Sequence, residues 1–340
     1  MKISSHMSPV CCIILFMVNV TITKNDGGQR LDRFMKKYLR KAPLSLIYRM
    51  IRKDVKVNGK RASIEAVLNE GDVLSIYVSD EELAALTEDG GMRETAKKQF
   101  AIAYEDDNIL IAGKPFGLLT HGDSREKKKT LVNQVRGYLE SSGVYREEEE
   151  KVFRIASANR LDRNTTGLVA FGKTAAAQKA LSRGFADKEA IEKYYLTIVA
   201  GEMTGELRLS SKVEKDGRTN ISKVVEDGRE GGRTAETIAT PLKTGNGFTL
   251  VRVRLMTGRT HQIRVHLAWA GFPLIGDAKY GDAKVNRKIK QETGITTQLL
   301  HAYRLVFADM QEPLSYLNGK AVEAEIPARF RETTEKIIGK

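Results

Sequence analysis

The stretch NRLDRNTTGLVAFGKT, from Asn159 to Thr174, sets one carboxylate, Asp162, between Arg160 and Arg163 and just ahead of Thr165-Thr166-Gly167. Flanking guanidinium groups favour the charged form of a carboxylate, and the small residues that follow let the backbone of a polyanion come close. A plain surface ion pair at a turn has the same spelling and contributes little to stability.

Two further segments carry candidate chemistry. Lys193 to Gly201, KYYLTIVAG, reads as a strand whose alternation puts Tyr195, Thr197 and Val199 on one face and Tyr194, Leu196 and Ile198 on the other. Either tyrosine also fits a core position. In MTGRTHQIRVH, from Met256 to His266, Thr260 is expected to cap a helix that turns Ile263, Leu267 and Ala270 inward and leaves His261 and Arg264 on one face. His261 and His266 are not at the i, i+4 spacing of helical zinc ligands, and no metal site is expected. No phosphate-cradling loop or dinucleotide fingerprint occurs, and Gly245-Asn246-Gly247 reads as a hairpin turn. One carboxylate, one phenol and one arginine support a cofactor-free isomerisation or hydrolysis.

The elements that must position these groups follow from pattern. A strand at Ile109 to Ala112 ends in Gly113-Lys114-Pro115. Gly167 to Gly172 makes a second strand, Thr174 to about Lys188 an alanine-rich helix with Gln178, Leu181 and Phe185 at helical spacing, and Phe248 to Leu255 a further strand. Glutamate-rich Arg146 to Lys151 reads as an exposed loop.

Upstream lies a smaller module. Leu31, Phe34, Met35, Tyr38 and Leu39 form one helical stripe; Leu46, Ile47, Met50 and Ile51 form a second, on a helix from about Ser45 to Lys53. Arg30, Arg33, Arg49, Arg52 and Lys53 are among the cations left for the surface. Asn58-Gly59 signals a hairpin and Val73 to Val78 an alternating strand. The predicted organisation is a leader at 1–16, a module at 17–80, a linker at 81–98 and a large domain at 99–330. The apolar run Val10 to Val18 falls far short of the ~20 residues of a membrane helix, and Met17 is the expected native start. The only two cysteines, Cys11 and Cys12, lie in that leader, which excludes a disulfide framework and fits a reducing cytoplasm. With 56 Lys and Arg against 43 Asp and Glu, a formal charge of +13, nucleic acid is the favoured partner class.

Six segments in order, KPFGLLTHG from Lys114, NRLDRNTTGL from Asn159, KYYLTIVAG from Lys193, GRTHQIRVHL from Gly258, GFPLIGDAKYG from Gly271 and LLHAYRLVF from Leu299, closely resemble the RluA family of pseudouridine synthases. The likeness runs from about Thr21 to Pro327. Within the family it is nearest the branch acting on large-subunit ribosomal RNA with an N-terminal S4-like (alpha-L) RNA-binding domain, which QRLDRFM, IYRMIRK and VKVNGK resemble.

The resemblance implies an α+β fold with a long, mostly antiparallel bent sheet and a central catalytic cleft, preceded by the small S4-like α/β module. It implies Asp162 as catalytic aspartate, Tyr195 as active-site tyrosine and Arg264 as the aspartate's partner. It further implies that Arg160 fills the space left by a flipped base, and that Leu274 or Ile275 floors a uracil pocket. Asn159, Arg30, Arg33, Arg49, Arg52, Lys53, Lys114 and His261 are expected to bind RNA. No cofactor, no metal and no membrane association are expected, and the chain is expected to be a cytoplasmic monomer. Two positions depart from the family pattern: Asn159 stands where His is usual and Thr166 where Ser is usual. The first removes a ring that could titrate. The implied reaction extrudes a uridine, frees its uracil and rejoins it through carbon 5. The competing reading is an inactive ribosomal-RNA-binding or assembly factor.

Overall fold

The computed structural model describes residues 17–87, 97–217, 221–225 and 231–339. The expected leader at 1–16, with both cysteines, and residues 88–96 of the expected linker lie outside them. The chain divides into two compact units, one of residues 1–93 with 146–154, the other of 94–145 with 155–340.

In the smaller unit the elements run β1 (Val18–Thr21), β2 (Gln29–Arg30), α1 (Leu31–Tyr38), α2 (Leu44–Lys53), β3 (Val55–Val57), β4 (Val67–Leu68), β5 (Val73–Ile76) and α3 (Asp80–Leu86). The two stripes read from sequence meet, with Leu31, Phe34, Met35, Ile47, Met50 and Ile51 all buried in one core against the sheet β1-β5-β3. Asn58 and Gly59 both take positive φ, 51° and 76°, as a type I′ turn requires. The turn closes on a mutual backbone pair between Val57 and Lys60, and the pairing goes no further, while β3 takes β5 as its antiparallel strand partner.

Two expectations for this unit are corrected. The segment read as a linker from 81 begins inside α3, whose Ser79 and Glu82 form a reciprocal capping box and whose Leu83 is buried in the core. The Glu-rich stretch is the largely exposed loop that its sequence suggests, but residues 146–154 belong to the small unit and not to the large domain. Asp26 accepts hydrogen bonds from the amides of Lys151, Val152 and Phe153, and Val152 enters the small unit's core.

In the larger unit follow β6 (Ala101–Glu105), β7 (Ile109–Lys114), α4 (Leu131–Ser141), β8 (Thr166–Gly172), α5 (Ala175–Ala186), β9 (Ile191–Ala200), β10 (Leu207–Asp216), β11 (Ile221–Val225), β12 (Arg233–Gly245), β13 (Phe248–Leu255), α6 (Gln262–Trp269), α7 (Ala283–Thr293), β14 (Leu300–Phe307), β15 (Ala321–Glu323) and α8 (Ala328–Ile338). Its mixed sheet has the order β11-β10-β12-β13-β9-β14-β8-β7-β6, with β15 on β14. Every pairing is antiparallel except β8 with β14.

That parallel contact requires Gly167. Its φ is +112°, and a Cβ there would lie 2.1 Å from the Ala302 carbonyl oxygen. The turn carrying Asp162 therefore leads straight into the sheet centre, beside β14 and one strand from β9. Thr174 caps α5 through the Ala177 amide, and Asn246-Gly247 closes the β12-β13 hairpin with positive φ at both residues. Leu168, Ala170, Leu181, Ile191 and Phe307 pack one core cluster. Leu196, Ile198, Phe248, Ile275, Phe330 and Ile337 pack another.

Candidate active site

Asp162 sits in a turn whose backbone is pinned on both sides. The Thr120 hydroxyl donates to the Leu161 carbonyl at 3.1 Å and accepts from the Leu161 amide at 3.2 Å. The Lys114 ammonium donates to the carbonyls of Leu118 (2.7 Å), Pro115 (3.1 Å) and Arg163 (2.9 Å). Asn159 directs its side-chain amide to β8, donating to the Leu168 carbonyl and accepting from the Ala170 amide.

The charge partner of Asp162 comes from far along the chain. Arg163 turns to Asp123 at 3.3 Å, Arg160 is exposed, and Arg264 of α6 reaches the Asp162 carboxylate at 3.1 Å. Arg264 is only 5% exposed. Its Nε and Nη2 grip Asp277 at 2.6 and 2.8 Å, a bidentate pair that fixes the guanidinium plane. Asp277 is fully buried and also accepts from the amides of Lys279 and Tyr280. The Tyr280 ring lies 5.1 Å from the same guanidinium. Burial alone would raise the Asp277 carboxyl, but Arg264 and the two amides outweigh it and hold it below the usual range.

The helix does not begin as its sequence suggests. His261, not Thr260, occupies the cap position, with left-handed backbone (φ 56°) and no side-chain cap. Gln262 instead ties down the approach, accepting from the Thr257 hydroxyl and the Arg259 amide and donating to the Glu236 carbonyl. Arg264 consequently points inward. The His261 Nδ1 lies 2.9 Å from the Tyr280 hydroxyl and its Nε2 3.8 Å from Asp162. Burial holds this imidazole below its usual value, so it meets Asp162 as a neutral ring.

These groups open onto a cleft of about 280 Å³ lined by Asp162, Tyr195, Arg264, Ile263, Leu300 and Phe185. Tyr195 is 8% exposed, and burial with the nearby Asp162 charge pushes its phenol well above its ordinary value. It therefore stays protonated at neutral pH, fit to donate a hydrogen bond or to stack, and not to act as a base.

Several sequence expectations are revised by placement. Leu274 and Ile275 do not line the cleft: the Ile275 amide donates to the Ile198 carbonyl at 3.0 Å, and Leu274 bridges Val199. Those contacts hold the segment against β9, with Ile275 in the core. The aliphatic side chains that line the cleft include Leu161, Leu255, Ile263 and Leu300 instead. Lys114 is 1% exposed and bonded to three carbonyls, so it is a brace for the turn and not a surface cation. Asn159 is likewise a brace. In the small unit Arg30 is held by Asp32 and Glu65, whereas Arg33, Arg49, Arg52 and Lys53 are exposed. Sequence reasoning missed Asp277, Thr120 and Gln262. The only signal for Asp277 was its place inside GFPLIGDAKYG. Among the described residues no three His, Cys, Asp or Glu side chains gather as a metal site, and no helix is long and apolar enough to cross a membrane.

Residues 108–269 match the family model described as RNA pseudouridylate synthase. The chain is 31% identical over 328 residues to the ribosomal large subunit pseudouridine synthase C of Vibrio vulnificus (strain CMCP6), covering 94% of this chain and 95% of that protein. It is 33% identical over 294 residues to the protein of the same name from Escherichia coli (strain K12), covering 85% and 88%. Among solved structures, human RNA pseudouridylate synthase domain containing 4 superposes with a TM-score of 0.55 at 19% identity, covering 70% of this chain and 92% of that one. At that identity the likeness bears on the fold alone.

Proposed function

The chain belongs to the RNA pseudouridylate synthases, and from that premise we propose that it isomerises uridines of large-subunit ribosomal RNA, with Asp162 as the catalytic carboxylate. The observation that carries this reading is the ion pair between Asp162 and Arg264 at the edge of a cleft shared with Tyr195. The names of the bacterial relatives support the choice of RNA.

A uridine stacked in folded RNA hides its glycosidic bond, so it must be extruded at a cost of a few kcal/mol. Exposed Arg160, at the cleft, is positioned to occupy the gap in the stack. Asp162 then serves as nucleophile or as counter-charge to the cationic anomeric carbon. Tyr195, protonated, stacks on or donates to the uracil while it turns. Carbon 5 then joins the anomeric carbon as Asp162 is released from it, a base removes the proton displaced from carbon 5, and the freed ring nitrogen gains one, so the product is an isomer of the uridine. Arg264 holds the carboxylate in place throughout, and Asp277 holds Arg264.

The small unit acts as an S4-like RNA-binding module. Exposed Arg33, Arg49, Arg52 and Lys53 on α1 and α2 supply its phosphate contacts. The protein works in the cytoplasm as a monomer, without a cofactor.

The test is pseudouridine mapping of large-subunit ribosomal RNA from cells with the wild-type gene, without it, and with Asp162→Asn. One or more sites should vanish in the second and third strains alike. Sites that persist with Asp162→Asn would remove the aspartate from the chemistry, and an unchanged map in the deletion strain would overturn the choice of RNA.

A further inference from the structure

The sheet face opposite the cleft carries a second polar surface. Alternation along β9 sends Tyr195 toward Asp162 and Tyr194 the other way. Tyr194 stands opposite Arg254 on β13 and Arg304 on β14, and Arg252 stands opposite Leu196 two pairs further along, on the same face. Part of this same face is covered by apolar packing, in which Leu196, Ile198 and Leu250 meet Phe330 and Ile337 of α8. The remaining part is a depression of about 230 Å³ lined by Glu192, Tyr194, Arg252, Tyr303, Arg304 and Val306.

Its cations are under-used by the protein. Arg254 donates through Nη2 to Glu192 at 2.6 Å, yet its buried Nε has no hydrogen-bond partner among the described residues. Arg304 lies 3.4 Å from Glu323 without a hydrogen bond from its Nε. Arg252 is exposed, and among the described residues its guanidinium has no hydrogen-bond or ion-pair partner. Glu192 is already engaged by Arg254 and by the Tyr194 hydroxyl. Arg252 and Arg304 line the depression with Tyr194 and Tyr303, Arg254 stands beside it on Glu192, and three guanidinium groups thus face two carboxylates, Glu192 and Glu323.

We propose that this reverse face is a second RNA site, where Arg252, Arg254 and Arg304 bind the phosphodiester backbone of RNA flanking the target uridine. Guanidinium forks suit phosphate oxygens, and the chain's charge of +13 favours a polyanion over a neutral partner. The tyrosines add aromatic surface beside the backbone track, an arrangement common in single-strand binding. A large RNA held on both faces wraps the end of the sheet, so the target is presented to the cleft by contacts remote from it. This rests on RNA being the substrate, as proposed above.

The test uses the full-length protein and an unmodified large-subunit ribosomal RNA transcript. Wild type, the Arg252→Ala/Arg304→Ala double variant and Arg252→Glu are compared for affinity across salt concentration and for pseudouridine formation. Wild-type protein must form pseudouridine in this assay; if it does not, the proposed substrate fails, independently of the reverse face. Given an active wild type, the double variant should bind several-fold more weakly, with a log–log salt slope shallower by about 1 to 2, since each lost phosphate contact removes about 0.7 on a single strand and about 0.9 on a duplex. Arg252→Glu should weaken binding further than loss of one cation does, and the deficits should be read in KM and not in kcat. Unchanged affinity and slope in both variants, with matched thermal melts, would overturn the proposal.

Discussion

Arg264 and Asp277 form the buried pair on which the candidate site is built, with two parallel hydrogen bonds of 2.6 and 2.8 Å and no solvent exposure at the carboxylate. The third arm of the same guanidinium reaches Asp162 at 3.1 Å. One arginine thus transmits the rigidity of a buried carboxylate to the carboxylate in the cleft.

Asp277→Asn should therefore impair both fold and activity. Leaving a buried guanidinium with a weakened partner costs about 3–5 kcal/mol by analogy with other broken buried pairs. Turnover should fall more than tenfold, with RNA affinity nearly unchanged, because Asp277 is sealed from the surface. Because the folded-state pKa of Asp277 is depressed, its stabilisation is present above about pH 4 and lost as pH falls through the lower folded value. Urea unfolding at pH 7 and kinetics on the same RNA check the first two points. Normal turnover would separate Arg264 orientation from catalysis.

Asp162→Asn should lower turnover at least a hundredfold and leave RNA affinity within a few fold, since affinity rests mainly on phosphate contacts. Single-turnover kinetics with saturating RNA measure the first, and filter binding the second.

Lys114→Met separates a brace from an RNA contact. Burial brings the Lys114 ammonium down to about 7, with the Asp162 charge opposing the shift, while three carbonyls accept its hydrogen bonds. Removing it strands buried acceptors, at about 1–3 kcal/mol for each left unsatisfied. The variant should melt earlier and turn over more slowly, with its salt slope for RNA binding unchanged. A shallower slope would return Lys114 to the RNA surface.

Buried histidines make stability depend on pH. Burial lowers His266 and His301 to about 4 from the usual 6.5. Between those values the unfolded chain binds protons that the folded chain refuses, so stability should rise with pH from about 4 to 6.5 and level off above. The melting temperature at pH 5 should lie below that at pH 7.5. His301→Gln should reduce the difference, and an identical pH profile in that variant would exclude His301 as a contributor.

Gly167→Ala should prevent normal folding of the large unit. The added Cβ would meet the Ala302 backbone at 2.1 Å in a conformation that L residues rarely adopt. Soluble yield and melting temperature report this directly; a variant that melts like wild type would show that β8 and β14 can separate at little cost.

Local pattern carried much of this protein. Period-two alternation along Lys193 to Gly201 assigned Tyr194 and Tyr195 to opposite faces, helical spacing found both stripes of the small unit, and glycines with asparagine marked the turns at Asn58 and Asn246. Those signals depend on neighbours within a few residues, and the chain displays them in order. The spelling of the Asp162 segment also singled out the carboxylate that lines the cleft, but suggested the wrong charge partners. Arg160 and Arg163 are near in sequence, while Arg264, 102 residues away, makes the contact. Local pattern could not supply this contact, which the family resemblance alone implied; the tertiary structure makes it, because the register of β8, β14, β9 and β13 brings the start of α6 to the Asp162 turn. Only the tertiary structure decided the role of Lys114, whose charge suggested a surface role until burial and three carbonyls gave it another. Burial and long-range pairing belong to the packed sheet and not to any short stretch of chain, which is why Asp277 could be named in a motif yet not given its place beside Arg264 until the fold was known.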